Sequence, residues 1–463
     1  TGASNTGIGA FSLKLNTTAS NNTAVGTSAL LANTTGASNT AVGQSSLSSV
    51  TTGSGNVGIG YAAGSQTTTG AGLISIGYRA NRYNTTGAGN IAIGYETLQG
   101  VSGNTNHRNV AVGQTAGRVI TTGSGNNLIG FGTGVNLTTG SFNTFMGGDM
   151  IGVTGATGQS TTTGSCNVAI GAAALRDNTT ANNNTAVGLS ALEANTTGTP
   201  NTAVGYEALD ANTTGNQNTG IGVGSFGANT TASCNTGLGY ASGLVNTTGV
   251  KNVAVGHSAL CSNTTGSHNT AVGLCSLKAV TTAENNTAIG IRSGSAVTDG
   301  YGNTLIGGDA GKNIVAGGGN TILGGYKPDG VYSPPYDTTG SDNNRIVLGS
   351  TTSTNAYIKI DWTVTSDLRD KTNIENVSHG LNFINQITPI KYDFKTSRED
   401  DTPNGTKKYG FSAQEILALE GDNPIIINNE DTDNLKITNS HLVPVLVNAI
   451  KELKTRIEEL ENE

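Results

Sequence analysis

"NTAVGTSALLANTTGAS", residues 22–38, is followed at once by "NTAVGQSSLSSVTTGSG", residues 39–55, and the pattern returns again and again. Aligned on the glycine of "NTAVG", 20 units begin at Asn5, Asn22, Asn39, Asn56, Leu73, Asn90, Asn109 and so on to Asn320 and Arg345. Their spacing is 17 residues, widened to 19 before Asn109, to 24 before Asn167 and to 25 before Arg345. A fixed period of this size marks a solenoid, in which each unit is one coil that buries its apolar side only by stacking on its neighbours.

Within a unit, "NTAVG" alternates polar and apolar residues, an apolar pair such as Ala29-Leu30 or Ala191-Leu192 follows, and "NTTG" makes a turn. The pattern predicts two short strands and two corners per coil. Abundant glycine and β-branched threonine oppose helix, and no 3.6-residue stripe is present. Stacking places Val25, Val42, Ile59, Ile76 and Ile93 in one column, expected to form a thin continuous core. Repeated asparagines are expected to form amide ladders along the stack, and the glycines to occupy corners with positive φ or close backbone approach. Twenty coils at ~4.8 Å each give a rod roughly 95 Å long. So thin a coil buries little alone, which favours three chains side by side.

Charge is distributed unevenly. Residues 1–350 carry 24 charged side chains, 12 of each sign, whereas residues 351–463 carry 31, of which 19 are acidic. The whole net charge of −7 therefore lies in the C-terminal part. No basic cluster could neutralise a run of phosphates, so nucleic acid is not an expected partner. No stretch approaches the 18 apolar residues of a membrane span, so no membrane insertion is expected. The chain opens in mid-repeat without methionine, which reads as a fragment or a processed product. Cys166, Cys234, Cys261 and Cys275 read as small buried thiols; a bridge between Cys261 and Cys275 is sterically conceivable and is not predicted.

Several features decorate the repeats. The residue after the repeat glycine is aromatic at Tyr61, Tyr78, Tyr95, Phe131, Tyr206 and Tyr240, a column that could meet sugar rings or a neighbouring chain. Insertions at 148–164 and 326–340 must leave the stack, and the second, with Tyr326, Tyr332 and Tyr336, is the better candidate for surface recognition. Triplets such as those at Asn33, Asn195, Asn212 and Asn263 fit the N-glycosylation pattern and equally fit corner chemistry. No paired carboxylates recur as a glycosidase would need, and the five histidines form no ligand pattern, so neither metal nor cofactor is expected.

After Gly349 the period ends. "NAYIKIDWTVT" (355–365) alternates as a connecting strand, and "SDLRDKTNI" (366–374) then packs charges together where the composition changes. The closing "HLVPVLVNAIKELKTRIEELENE" reads as a helix over about 440–463, capped by Ser440, with Pro444 in its first turn. Val443, Leu446, Ile450, Leu453, Ile457 and Leu460 follow one another at steps of 3, 4, 3, 4 and 3, a coiled-coil seam.

These residues carry two resemblances. Residues 1–350 resemble the β-roll heads of trimeric autotransporter adhesins and, more closely, the repeat regions of phage and other viral fibres. "SDLRDKTNI", "GFSAQEI" (410–416) and "LVPVLVNAIKEL" (442–453) resemble, in order, three blocks of the C-terminal intramolecular chaperone domain of phage endosialidases, tailspikes and tail fibres. The resemblance implies a domain that trimerises, assists folding of the preceding fibre and cuts itself off before the motif serine. It assigns the scissile bond to Thr365–Ser366, the nucleophile to Ser366 and the general base to Lys371, with Asp367, Arg369, Asn373, Gln414 and Glu415 as motif residues. A lysine acts as a base only where burial lowers its pKa, so Asp367 and Asp370 are expected to pair with Arg369 or to face solvent.

The expected architecture is mainly β: a parallel β-solenoid shaft over 1–350, a connecting strand over 351–365, and a small α/β chaperone domain over 366–463 ending in a coiled-coil helix. The expected function is a homotrimeric viral, phage-type tail fibre. It would be extracellular on the virion and bind a host glycan or protein receptor, with autoproteolysis its only chemistry. The alternative is a cellular surface adhesin or filament using the same domain. Near-identical coils can slip register at little cost, so a C-terminal trimer would set their alignment.

Overall fold

The computed structural model describes residues 2–149, 155–326, 330–332, 334, 337–350, 353, 366–395, 398, 400–430 and 432–462. It divides into two compact units, Thr1–Thr351 and Thr352–Glu463. The expected strand at 355–365 lies outside the described residues.

The first unit is a parallel β-solenoid. Its single sheet holds 20 strands of three residues, from β1 (Thr6–Ile8) and β2 (Thr23–Val25) through to β20 (Ile346–Leu348). Neighbouring coils pair in register, Thr23 with Thr40, Ala24 with Ala41 and Val25 with Val42. The long spacings leave that register intact: Ile91 pairs with Val110, Thr144 with Val168 and Thr321 with Ile346. The sheet thus continues across all three long spacings.

Each coil contributes one named strand, where two were expected. The opposite wall is a run of overlapping turns, closed by bonds such as Ala29 N–H to Gly26 O (3.3 Å) and tied to the next coil by Leu30 N–H to Ser46 O (3.1 Å). Leucine at the ninth repeat position sits in the left-handed region there, at φ 48° for Leu30 and 51° for Leu192. That conformation costs about 1–2 kcal/mol for a side-chain-bearing residue, and it is accepted because it points the leucine into the core. Leu30, Leu47, Leu192 and Leu209 are fully buried.

The core column is also not the expected one. The middle residue of each strand faces inward, so Ala24, Ala41, Ala92 and Ala186 are completely buried, while Val42, Ile59 and Ile93 keep 37, 39 and 36% of their surface exposed. Alternation requires one face to be inside, and the narrow bore leaves room for alanine but not for a second file of branched side chains. At some coils whose ninth position is glycine, an enlarged strand centre fills the space. A Cβ on Gly117 would lie 2.7 Å from Leu128 Cδ1, and one on Gly158 would lie 2.4 Å from Phe145 Cε2. The glycine ending each strand is required sterically: Gly26 has φ 132°, and a Cβ there would come within 2.7 Å of the Gly43 carbonyl.

Two asparagine ladders satisfy the corners. At the first repeat position, Asn22 Nδ2 donates to Gly36 O (3.0 Å) while its Oδ1 accepts the Asn39 backbone N–H (2.9 Å). At the twelfth, amide bonds amide directly: Asn212 Nδ2 donates to Asn195 Oδ1, and Asn229 Nδ2 to Asn212 Oδ1, both at 2.9 Å. This second ladder is built from the glycosylation-like triplets. Asn33, Asn195, Asn212 and Asn263 are fully buried, so no glycan can sit on them in the folded coil. The cysteines, expected to be buried, are free thiols with Cys166 and Cys234 exposed and Cys261 and Cys275 half-buried. The two exposed ones occupy outward corner positions at φ 58° and 63°.

The second unit is a small α/β assembly. It comprises α1 (Leu381–Ile384), the antiparallel pair β21 (Ile390–Lys395) and β22 (Pro403–Gly410), α2 (Ala413–Glu420), the short pair β23 (Ile427–Asn428) and β24 (Lys436–Ile437), and α3 (Leu442–Glu461). Its core joins Phe383, Ile387, Ile416, Ile426, Ile427, Leu442 and Val445. The final helix begins at Leu442 with His441 as N-cap and no capping side chain, so Ser440 does not cap it; Ser440 belongs to a preceding 3-10 turn, Asn439–His441.

Candidate functional site

The stretch 366–374 folds as a single tight turn. Asp367 starts it: its carboxylate accepts the Arg369 backbone N–H (2.9 Å) and pairs with the Arg369 guanidinium at 2.5 Å. Hydrogen bonds from Arg369 hold the Asp367 carboxyl below the usual carboxylate range, and the same pairing raises the Arg369 pKa. A 3-10 turn over Leu368–Asp370 then brings the chain back on itself. Lys371 Nζ ends 2.9 Å from Ser366 Oγ. Asp367 is occupied with Arg369 and Asp370 is exposed. Asn373 takes φ 51°, a conformation asparagine tolerates well.

Ser366 and Lys371, the two residues the motif pairs, are therefore within hydrogen-bond reach. Both are exposed in the single chain, so the burial that a general-base lysine requires is missing from it. Thr365 lies outside the described residues. Gln414 and Glu415 open α2, where Ser412 Oγ accepts the Glu415 N–H (3.3 Å) as N-cap. Among the described residues, no hydrogen bond joins either of them to Ser366 or Lys371.

Sequence reasoning missed three residues that organise this unit. Glu420 accepts the backbone N–H groups of Ile425, Ile426 and Ile427 at 2.9, 2.8 and 3.0 Å, clamping the turn after α2. Glu452 accepts the Leu381 N–H at 2.7 Å, and Asn448 donates to His379 O at 3.0 Å, so α3 grips the start of α1. The only signal was their position on helices, which does not distinguish a clamp from a solvated charge.

On the solenoid, Tyr326 and Tyr332 are half-buried and fold back on the coils. Asp309 accepts Arg292 Nε (2.7 Å) and NH2 (2.8 Å) and the Tyr326 hydroxyl (2.6 Å). Burial alone would raise the Asp309 pKa, but these donors bring it below the ordinary value. Tyr332 accepts the Gly311 N–H (3.3 Å), and burial pushes its hydroxyl up to about 12. Tyr336 lies outside the described residues. Tyr61, Tyr78 and Tyr95 stack on one another at 5.2 and 5.1 Å, so Tyr78 has both faces covered.

Residues 366–422 match the family described as chaperone of endosialidase, and the match begins at Ser366 itself. No curated protein and no solved structure matches the chain.

Proposed function

We propose that this C-terminal chaperone assembles three copies of the chain, sets the register of their solenoids and is then detached by its own Ser366, leaving a viral tail-type fibre that attaches to a host surface. The observation that carries this reading is the 2.9 Å approach of Lys371 Nζ to Ser366 Oγ, at the first residue of the chaperone match and at the end of the repeats. The receptor would be a surface glycan or protein. Tyr326 and Tyr332, anchored through Asp309 and Gly311, support the 326–340 insertion as a contact surface.

The chemistry is an acyl shift followed by hydrolysis. Lys371, as neutral amine, takes the Ser366 Oγ proton while Oγ attacks the Thr365 carbonyl carbon. The C–N bond breaks, the proton passes to the departing Ser366 nitrogen, and the ester so formed is hydrolysed by water. The products are a Thr365 carboxylate and a new amino terminus at Ser366. Burial on assembly would supply the desolvation the lysine needs. Intact-mass measurement of residues 1–463 and of the Ser366→Ala and Lys371→Ala variants tests this. Wild type is expected to split at 365/366 and both variants to stay whole; identical masses would overturn the cleavage.

A further inference from the structure

We propose that the outward face of the 20-stranded sheet is the seam along which copies of this chain pack, with the fourth repeat position at its centre; this rests on the trimer reading above. The fourth position is valine, isoleucine or leucine in 19 of the 20 coils, from Ile8 and Val25 to Leu323 and Leu348, and methionine, Met146, in the other. These side chains lie in one unbroken file, since every strand pairs in register with the next, including across the three long spacings. Val42, Ile59, Ile129, Ile221 and Ile306 keep 37, 39, 40, 37 and 39% of their surface exposed.

The flanking files fit the same use. The second position is threonine, valine or isoleucine in every coil but one, where it is Asn127, and neither it nor the fourth or sixth position carries a charged side chain anywhere. Charges are placed elsewhere on the coil, at Arg79, Glu96, Arg176, Glu193, Asp210, Arg292 and Asp309. Identical faces brought together in register would oppose like charges with like, and this face avoids that. Its exposed aliphatic area is on the order of 1,000 Å² per chain, above the roughly 800 Å² that each partner contributes to a stable interface. A single chain exposing so long an apolar strip is a chain lacking its partner.

The test uses the full chain with Cys166, Cys234, Cys261 and Cys275 changed to serine. Val204→Cys places one thiol in the central file, and Thr214→Cys places one on an exposed corner away from it. Sedimentation gives the assembly state, and mild oxidation followed by non-reducing electrophoresis gives the neighbours. The expected result is a trimer in which Val204→Cys yields covalent dimer and leftover monomer in a mass ratio near two to one, while Thr214→Cys stays monomeric on the gel. A trimer in which Val204→Cys fails to cross-link, or Thr214→Cys cross-links equally well, overturns the seam and leaves the assembly reading standing. A monomer in solution overturns both.

Discussion

Lys371 Nζ lies 2.9 Å from Ser366 Oγ, on a turn that Asp367 closes through Arg369, and both members of the pair face solvent in the single chain. On the proposed mechanism the approach needed for attack is thus present in the single chain, whereas the desolvation needed for base action is missing from it. Lys371→Arg should be as inert as Lys371→Ala, because arginine keeps its charge however it is buried. Cleavage of wild type should accelerate with chain concentration until assembly is complete, followed as the fraction split at 365/366 over time. Concentration-independent cleavage would mean that the single chain already supplies the burial.

The amide ladder at the twelfth repeat position predicts a steep penalty for a nearly isosteric change. Asn229 donates to Asn212 Oδ1 (2.9 Å) and accepts from Asn246 Nδ2 (3.0 Å), and all three are fully buried. Asn229→Leu strands one buried acceptor below it and one donor bond above, and should cost about 2–3 kcal/mol. The natural ladder ends show the smaller version of this defect: Asn263 Oδ1, facing Val280, has no protein partner. Val280→Asn should therefore bring no gain, since it moves the orphaned oxygen one coil along. Denaturant midpoints of the two variants check both statements.

Asp210 predicts a pH dependence of stability. Burial, and then the nearby Glu207 charge, push its carboxyl up to about 6 from 3.8. A carboxyl raised on folding disfavours the folded state once ionised: the penalty is absent below about pH 4, grows through pH 6 and is complete above it. Asp210→Asn removes it and should stabilise by about 1 kcal/mol at pH 7.5, after allowance for solvent screening of a half-buried group, with no gain at pH 3.5. Melting curves at the two pH values decide it.

The solenoid, its period and its register were legible because spacing is an arithmetic property of the sequence. Which face of the strand is inside was not, because alternation is symmetric between Ala24 inward and Val25 inward, and the larger residue was assigned to the core. A usable signal existed in the third position, which shrinks to Gly58 or Ser75 and swells to Leu128 or Phe145. Such swings are tolerated only where a neighbour compensates, as Gly117 does for Leu128. The approach of Lys371 to Ser366 follows from the motif spacing, and their exposure was not legible, since a motif names residues and not what covers them. Glu420 and Glu452 were missed because long-range carboxylate clamps leave no local pattern.

The terminal helix offers the sharpest separation of folding from assembly. Its two faces have different jobs: Leu442, Val445 and Ala449 are buried in the chaperone unit, whereas Val443, Ile450, Leu453 and Leu460 remain 57, 67, 46 and 70% exposed. The exposed set is the heptad seam read from sequence, and a helix carrying it alone in water lacks the partner that such a stripe implies. Ile450→Asp combined with Ile457→Asp should leave the helix content of the chain unchanged, because neither side chain enters the unit's core. On the proposed function, it should nevertheless reduce the proposed trimer to monomer in sedimentation and, with it, suppress the proposed cleavage at Ser366. Val445→Asp should instead unfold the unit, since it buries a charge among Phe383, Ile416 and Leu442. A double variant that stays trimeric and cleaves at the wild-type rate would show that the seam on α3 plays no part in assembly.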